Sequence, residues 1–153
     1  MKFTIRKLKP KDVSKLYIQT VNNKYTKKFI EYSKKGKKKK NRQDLINYIN
    51  SLSKNEFLFG IFMNNIHAAN FKISIIKNKL YIGFLVFLRF QGKGIIYKVF
   101  PKILKLKVLK SKKLYLGVDI NNKRAISLYK KLGFIYIKNS KKLMFIKLNY
   151  KKN

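Results

Sequence analysis

Apolar positions recur along the chain in two rhythms, and the rhythm changes where the elements change. From Phe3 to Leu8, in FTIRKL, apolar and polar side chains alternate with the period of a half-buried strand. After Pro10 the spacing lengthens: Val13, Leu16, Tyr17 and Thr20 share one helical face, and Asp12 is expected as the N-cap. Leu45, Ile46, Ile49 and Leu52 repeat the helical spacing in QDLINYINSL. Three β-rich segments follow, Glu56 to Met63, Ile66 to Ile76 and Leu80 to Leu88. They are joined by Asn64 and Asn65 and by Lys77, Asn78 and Lys79, short turn-forming links that predict an antiparallel meander. Beyond a glycine-containing junction, a helical segment runs to about Leu109, KLYLGV reads as a strand and NKRAISLYKKL as a helix, and FIYIKN and KLMFIKL read as a closing hairpin. The order predicts an α/β chain with one domain over residues 1–148 and a basic tail at 149–153, without internal repeat or long linker.

Composition narrows the chemistry. At 153 residues and 46% hydrophobic content the chain can bury one core. The absence of cysteine excludes a disulfide framework, a thiolate metal site and a cysteine nucleophile, and no metal is expected. The N-terminal MKFTIRKLKPKD has no apolar stretch of signal-peptide length, and the longest apolar run, broken by Arg89, falls short of the roughly 20 residues of a membrane helix. The expectation is a cytoplasmic, soluble protein without a membrane partner. Basic residues outnumber acidic ones 39 to 5, a net charge of +34. AT-rich codon usage accounts for part of this, as the abundance of Lys, Asn, Ile, Phe and Tyr suggests, but not for the scarcity of Asp and Glu. The remaining bias favours anionic ligands. The densest run, KKGKKKK from Lys34 to Lys40, has no apolar residues and reads as a solvated loop.

Two stretches carry candidate chemistry. In RFQGKGI, Gly92 and Gly94 stand at a strand-to-helix junction, where glycines let a phosphate approach the exposed N–H groups that begin a helix. The stretch matches neither the P-loop nor the dinucleotide fingerprint, so by itself it is a turn. About thirty residues on, NNKRAISLYKKLGF forms an amphipathic helix, with Asn122 as N-cap, Ala125, Leu128, Tyr129 and Leu132 on one face, and Gly133 placed for a left-handed C-terminal cap.

Together, in this order and separation, the two stretches resemble the GNAT superfamily of acetyl-CoA dependent N-acetyltransferases. Gln91, Gly92, Lys93, Gly94, Ile95 and Ile96 follow that superfamily's pattern Q/R-x-x-G-x-G/A, with Ile96 in place of the final small residue. Asn122, Ala125 and Tyr129 follow its later N-x-x-A-x-x-x-Y, which precedes GF. LFGIFMNNIHAANFKI and YIGFLVFL look like the central strands of the branch that includes ribosomal-protein and amino-sugar acetyltransferases, with Ala68, Ala69 and Asn70 where IGN is common. The resemblance implies a mixed, mainly antiparallel sheet of six to seven strands, flanked by about four helices, with splayed central strands forming an acetyl-CoA cleft. It places the cosubstrate's pyrophosphate on residues 91–96, its pantetheine arm beside the backbone of Val86 to Leu88, and Asn122 on the same ligand. Tyr129 becomes the acid that protonates the departing thiolate. Pro101 stands where the helix after the cradle should continue.

No base is assigned. Glu56 starts a strand, Asp119 ends one, and His67 is a lone strand histidine. For the acceptor, the branch resemblance implies a small-molecule amine, an amino sugar on a nucleotide-linked precursor of surface polysaccharide, with a protein N-terminus as the close alternative. A basic RNA- or ribosome-associated binding protein is the reading from another class, and the spread of lysines along the whole chain weighs against it.

Overall fold

An Asn-Asn pair and a Lys-Asn pair turn the central strands. Asn64 and Asn65 have φ of 50° and 67°, and Lys77 and Asn78 have 49° and 64°. Paired left-handed residues are what a two-residue hairpin turn with the sheet's own twist requires. They connect β2 (Glu56–Met63) to β3 (Ile66–Ile76), and β3 to β4 (Lys79–Val86). The computed structural model describes residues 2–29, 39–109, 113–140 and 143–148. With β1 (Phe3–Lys7), β5 (Leu114–Asp119), β6 (Ile135–Ser140) and β7 (Leu143–Leu148), the strands take the hydrogen-bonded order β1-β2-β3-β4-β5-β7-β6. Five α-helices occur among the described residues: α1 (Lys15–Asn22), α2 (Lys24–Phe29), α3 (Arg42–Asn50), α4 (Ile95–Ile103) and α5 (Lys123–Lys131). This is the mixed, mainly antiparallel α/β architecture expected, with five α-helices among the described residues against about four expected.

The exception to the antiparallel pattern is β4 beside β5. Their parallel register contains Leu80↔Leu114 and Tyr81↔Tyr115. β5 goes on pairing with β7 as far as Asp119↔Leu143. Pairing between the two central strands therefore stops at Tyr81, while each strand continues.

The chain forms two compact units, threaded by β3 and β4. One comprises residues 1–72 and 84–93, the other residues 73–83 and 94–153. In the first, Leu58 to Phe62 and His67 to Phe71 are each buried without interruption. Strands covered on both faces read as continuous apolar runs, which is why β2 and β3 lack the alternation of β1. Tyr17 stacks on Phe87 at 5.1 Å and Phe59 on Phe71 at 4.8 Å between ring centroids. Gly60 faces Arg6 across β1 and β2, and a Cβ there would stand 2.7 Å from Phe62 Cε2, so only glycine leaves room for that ring.

The start of α1 corrects the expected cap. Ser14, not Asp12, is the N-cap, its hydroxyl accepting the Tyr17 N–H at 3.1 Å. Asp12 ends a preceding 3-10 turn and receives two bonds of 2.8 Å from the Arg6 guanidinium. The same carboxylate accepts the Lys9 N–H at 2.7 Å, so Asp12 closes the 3-10 turn while pairing with Arg6, and α1 begins only after it. The solvated loop expected over Lys34 to Lys40 lies outside the described residues, as does the tail 149–153, except at Lys39 and Lys40. Lys40 is buried, and its N–H and carbonyl are both held at 2.7 Å by the Asn22 side-chain amide.

In the second unit Phe100, Ile103, Leu114 and Leu116 lie in the core. The helix expected to reach Leu109 stops at Ile103, and a separate 3-10 turn covers Lys107–Leu109. Pro101 lies inside α4 and has no N–H for the Tyr97 carbonyl, so the last turn is weakened where the helix ends.

Candidate active site

The glycine stretch follows β4 through a 3-10 turn, Leu88–Phe90, and leads into α4. β4 ends at Val86, two residues before the expected boundary, because the chain turns here. Phe90 N–H bonds the Phe87 carbonyl at 2.8 Å, and Gln91 N–H bonds the Leu88 carbonyl at 3.3 Å. Gly92 and Gly94 have φ of 75° and 68°, and Gly94 is the left-handed N-cap of α4. A Cβ built on Gly94 would meet nothing within 4 Å. The backbone at the start of α4 thus borders open space, with N–H groups at the positive end of the helix dipole. Ile96, the bulky departure from the expected pattern, is 2% exposed, so its side chain is buried and leaves that space clear. Ile95 is likewise buried, and Lys93 extends over the Phe90 ring at 5.7 Å. An open left-handed glycine at the N-cap and an Ile96 side chain turned into the core leave room for a pyrophosphate beside the start of α4.

Other expected contacts are already engaged within the fold. Gln91 Nε2 donates to the Val86 carbonyl at 3.0 Å, closing the turn on itself. The Leu88 N–H donates to Thr20 Oγ1 at 3.1 Å. Val86 and Leu88 therefore each have one backbone group held by a side chain, which the sequence did not show.

The α5 segment places Tyr129 by its ends. Asn122 is the N-cap, its side chain accepting the Ala125 N–H at 3.3 Å. At the other end the Gly133 N–H bonds the Lys130 carbonyl at 3.1 Å and the Phe134 N–H bonds the Tyr129 carbonyl at 3.0 Å, with Gly133 at φ 89°. This pair of bonds is a Schellman cap, whose accompanying apolar contact joins the residue after the glycine to the third-last helical one. Those residues are Phe134 and Tyr129, with ring centroids 5.9 Å apart, and Phe134 also meets Phe100 of α4 at 5.9 Å. The GF that closes the motif thus fixes the tyrosine ring beside α4. Burial pushes the Tyr129 phenol up to about 12, so it keeps its proton at neutral pH.

The described acids are each engaged in the fold. Lys72 Nζ lies 2.6 Å from Glu56 and holds that carboxyl below its usual range. Arg6 holds Asp12 down to about 2. Asp44 accepts the Asn41 N–H in a capping box, and Asp119 accepts the Asn121 N–H at 2.8 Å. Glu31 lies outside the described residues. His67 is 9% exposed, its Nε2 2.6 Å from Asn70 Oδ1 and its ring between those of Phe62 and Phe87. Its Nδ1 and the Asn70 Nδ2 are buried without a hydrogen-bond partner.

Burial lowers the His67 pKa, which carries a pH signature. The unfolded chain takes up the proton near the ordinary value of about 6.5, whereas the folded protein resists it until lower pH. Stability is therefore expected to fall as pH drops through that window and to level off below the folded pKa. Asp12 titrates lower still and stays out of it. Thermal midpoints between pH 7.5 and 5 test this, since His67 is the sole histidine. An equal decline in His67→Gln would assign the effect elsewhere.

Among the described residues no group of three or more His, Cys, Asp or Glu is placed to hold a metal, and no helix is long and apolar enough to cross a membrane. Residues 18–134 match the sequence model of the acetyltransferase (GNAT) family. No curated protein matches. Among solved structures, a domain from Methanocaldococcus jannaschii is 23% identical with a TM-score of 0.76, over 97% of this chain and 99% of that one. The PaiA N-acetyltransferase of Thermoplasma acidophilum in complex with coenzyme A is 22% identical with a TM-score of 0.71, over 98% and 100%. The spermidine N-acetyltransferase of Vibrio cholerae in complex with CoA and spermine is 17% identical with a TM-score of 0.74, over 95% and 92%. At these identities the likeness is one of fold.

Proposed function

Since the chain belongs to the acetyltransferase (GNAT) family and is an acetyl-CoA dependent N-acetyltransferase, we propose that its acceptor is a primary amine on an anionic small molecule, an amino sugar of a nucleotide-linked precursor. The open left-handed turn at Gly94, leading into helix-start N–H groups, is the observation that supports cosubstrate binding on residues 91–96. Acetyl-CoA supplies an acyl thioester that a neutral amine can attack. The chain's own part is to hold the pyrophosphate on the N–H groups around Gly92 to Ile96, with Lys93 adding positive charge, and to keep a proton on Tyr129 Oη for the departing thiolate.

Charge favours the anionic acceptor. The described carboxylates are few, and Asp12 and Glu56 are paired with Arg6 and Lys72, so little unpaired negative charge stands against the basic excess to attract a cation. Against +34, a polyamine is repelled and a nucleotide diphosphate is drawn in. Nucleotide-linked amino sugars, peptides with free N-termini and spermidine should be compared as acceptors at low and moderate salt. The nucleotide-linked amine is expected to show the highest kcat/KM and a steep fall with ionic strength. Preference for the peptide would move the reading to a protein acetyltransferase, and preference for spermidine would overturn the charge argument.

A further inference from the structure

Thr20 is fully buried on α1, at a position where the apolar face would accept valine. Its hydroxyl is used twice: it donates to the Leu16 carbonyl of its own helix at 2.8 Å and accepts the Leu88 N–H at 3.1 Å. The first bond orients the oxygen, and the second ties α1 to the turn that follows β4. That turn is held from the other side by the Phe87 N–H, which bonds the Ala68 carbonyl of β3 at 2.9 Å. Between these two bonds the Phe87 ring is stacked on Tyr17. From Leu88 the chain passes through one 3-10 turn to Gln91, whose side chain reaches back to Val86, and Gly92 is the next residue.

We infer that Thr20 is a positioning residue for cosubstrate binding, the fixed point on α1 from which the turn entering the glycine stretch is set. The inference rests on the reading of residues 91–96 as the pyrophosphate site. A hydroxyl is required here because the Leu88 N–H points at the fully buried Thr20, where an alkyl group would take away its acceptor. With valine the turn must shift to find another acceptor or remain loose, and the glycine stretch it leads into is then no longer pre-ordered. The ordering cost falls on ligand binding instead. Sequence reading places Thr20 only on the buried face of a helix, and its partner is 68 residues away.

The test is calorimetric binding of CoA to wild type, Thr20→Val and Thr20→Ser, with thermal midpoints and amide exchange at Leu88 measured on the same samples. Thr20→Val is expected to weaken CoA about five- to tenfold, the scale of one lost hydrogen bond, and to accelerate exchange at Leu88. Thr20→Ser, which keeps the oxygen, is expected to restore most of the affinity. If valine does not fold at this site, Thr20→Ala against Thr20→Ser makes the same comparison. A loss of thermal stability with unchanged CoA affinity would make Thr20 merely structural and overturn the inference. So would equal affinities for the serine and alanine variants. Failure of wild type to bind CoA would instead overturn the reading of the glycine stretch, a result no Thr20 variant can mimic.

Discussion

Tyr129→Phe is expected to leave folding and CoA affinity close to wild type and to cut acetyl transfer by roughly 10²- to 10⁴-fold. The ring's place is set by the Schellman cap and by Phe134, neither of which uses the hydroxyl, so the variant keeps the packing. A phenol pushed up to about 12 is at first sight a poor acid for a thiolate. A thiolate bound beside the phenol would share its low-dielectric surroundings, which raise the pKa of any neutral acid there and so narrow the gap between the two groups. The size of the loss separates the roles: general acid catalysis corresponds to about 3 to 5 kcal/mol at 1.36 kcal/mol per decade, whereas a lost neutral hydrogen bond costs about 1 kcal/mol. Turnover must be measured where chemistry limits the rate. A Phe variant retaining more than about a third of wild-type turnover, against that 10²-fold expectation, would show that water or another group supplies the proton.

The sequence signals that succeeded were local ones. Asn64 and Asn65 and the Lys77-Asn78 pair mark the hairpins because left-handed turns restrict residue choice within two positions. The ends of α5 are legible for the same reason, with Asn122 and Gly133 each satisfying a demand of the adjacent turn of helix. Errors arose where a partner outside the element decided. Asp12 reads as the cap of α1, but it closes the preceding 3-10 turn through the Lys9 N–H and pairs with Arg6, which leaves the α1 cap to Ser14. Lys40 reads as solvated until Asn22 claims its backbone.

The candidate site shows the same division. The left-handed glycines and the tyrosine follow from motif and local conformation. The backbone groups of Val86 and Leu88 do not, because their partners belong to the Gln91 side chain and to α1. Ile96 is instructive in the opposite sense: as a motif mismatch it counts against phosphate approach, yet its position on the buried side of α4 removes the objection. A residue pattern records which side chain is present but not which way the helix turns it.

Replacing Gly92 and Gly94 together with Val is expected to raise the KM for acetyl-CoA strongly, by at least about a hundredfold if the closest-approach contacts and the turn are both lost. Two effects combine. Both glycines have left-handed φ, 75° and 68°, where a β-branched residue is an outlier, so the turn must rearrange. At Gly94 the new side chain also projects into space now empty to 4 Å, where the phosphate would lie. Gly94→Asn separates the two, because asparagine tolerates the left-handed region but still places a Cβ in that space. If occlusion dominates, Asn weakens CoA nearly as much as Val at the same position; if strain dominates, Asn binds close to wild type. Circular dichroism and thermal midpoints on the same samples confirm that α4 still forms. A folded double-valine variant with unchanged CoA affinity by calorimetry would remove the glycine stretch from the binding site altogether, leaving its two left-handed residues as a plain connection between β4 and α4.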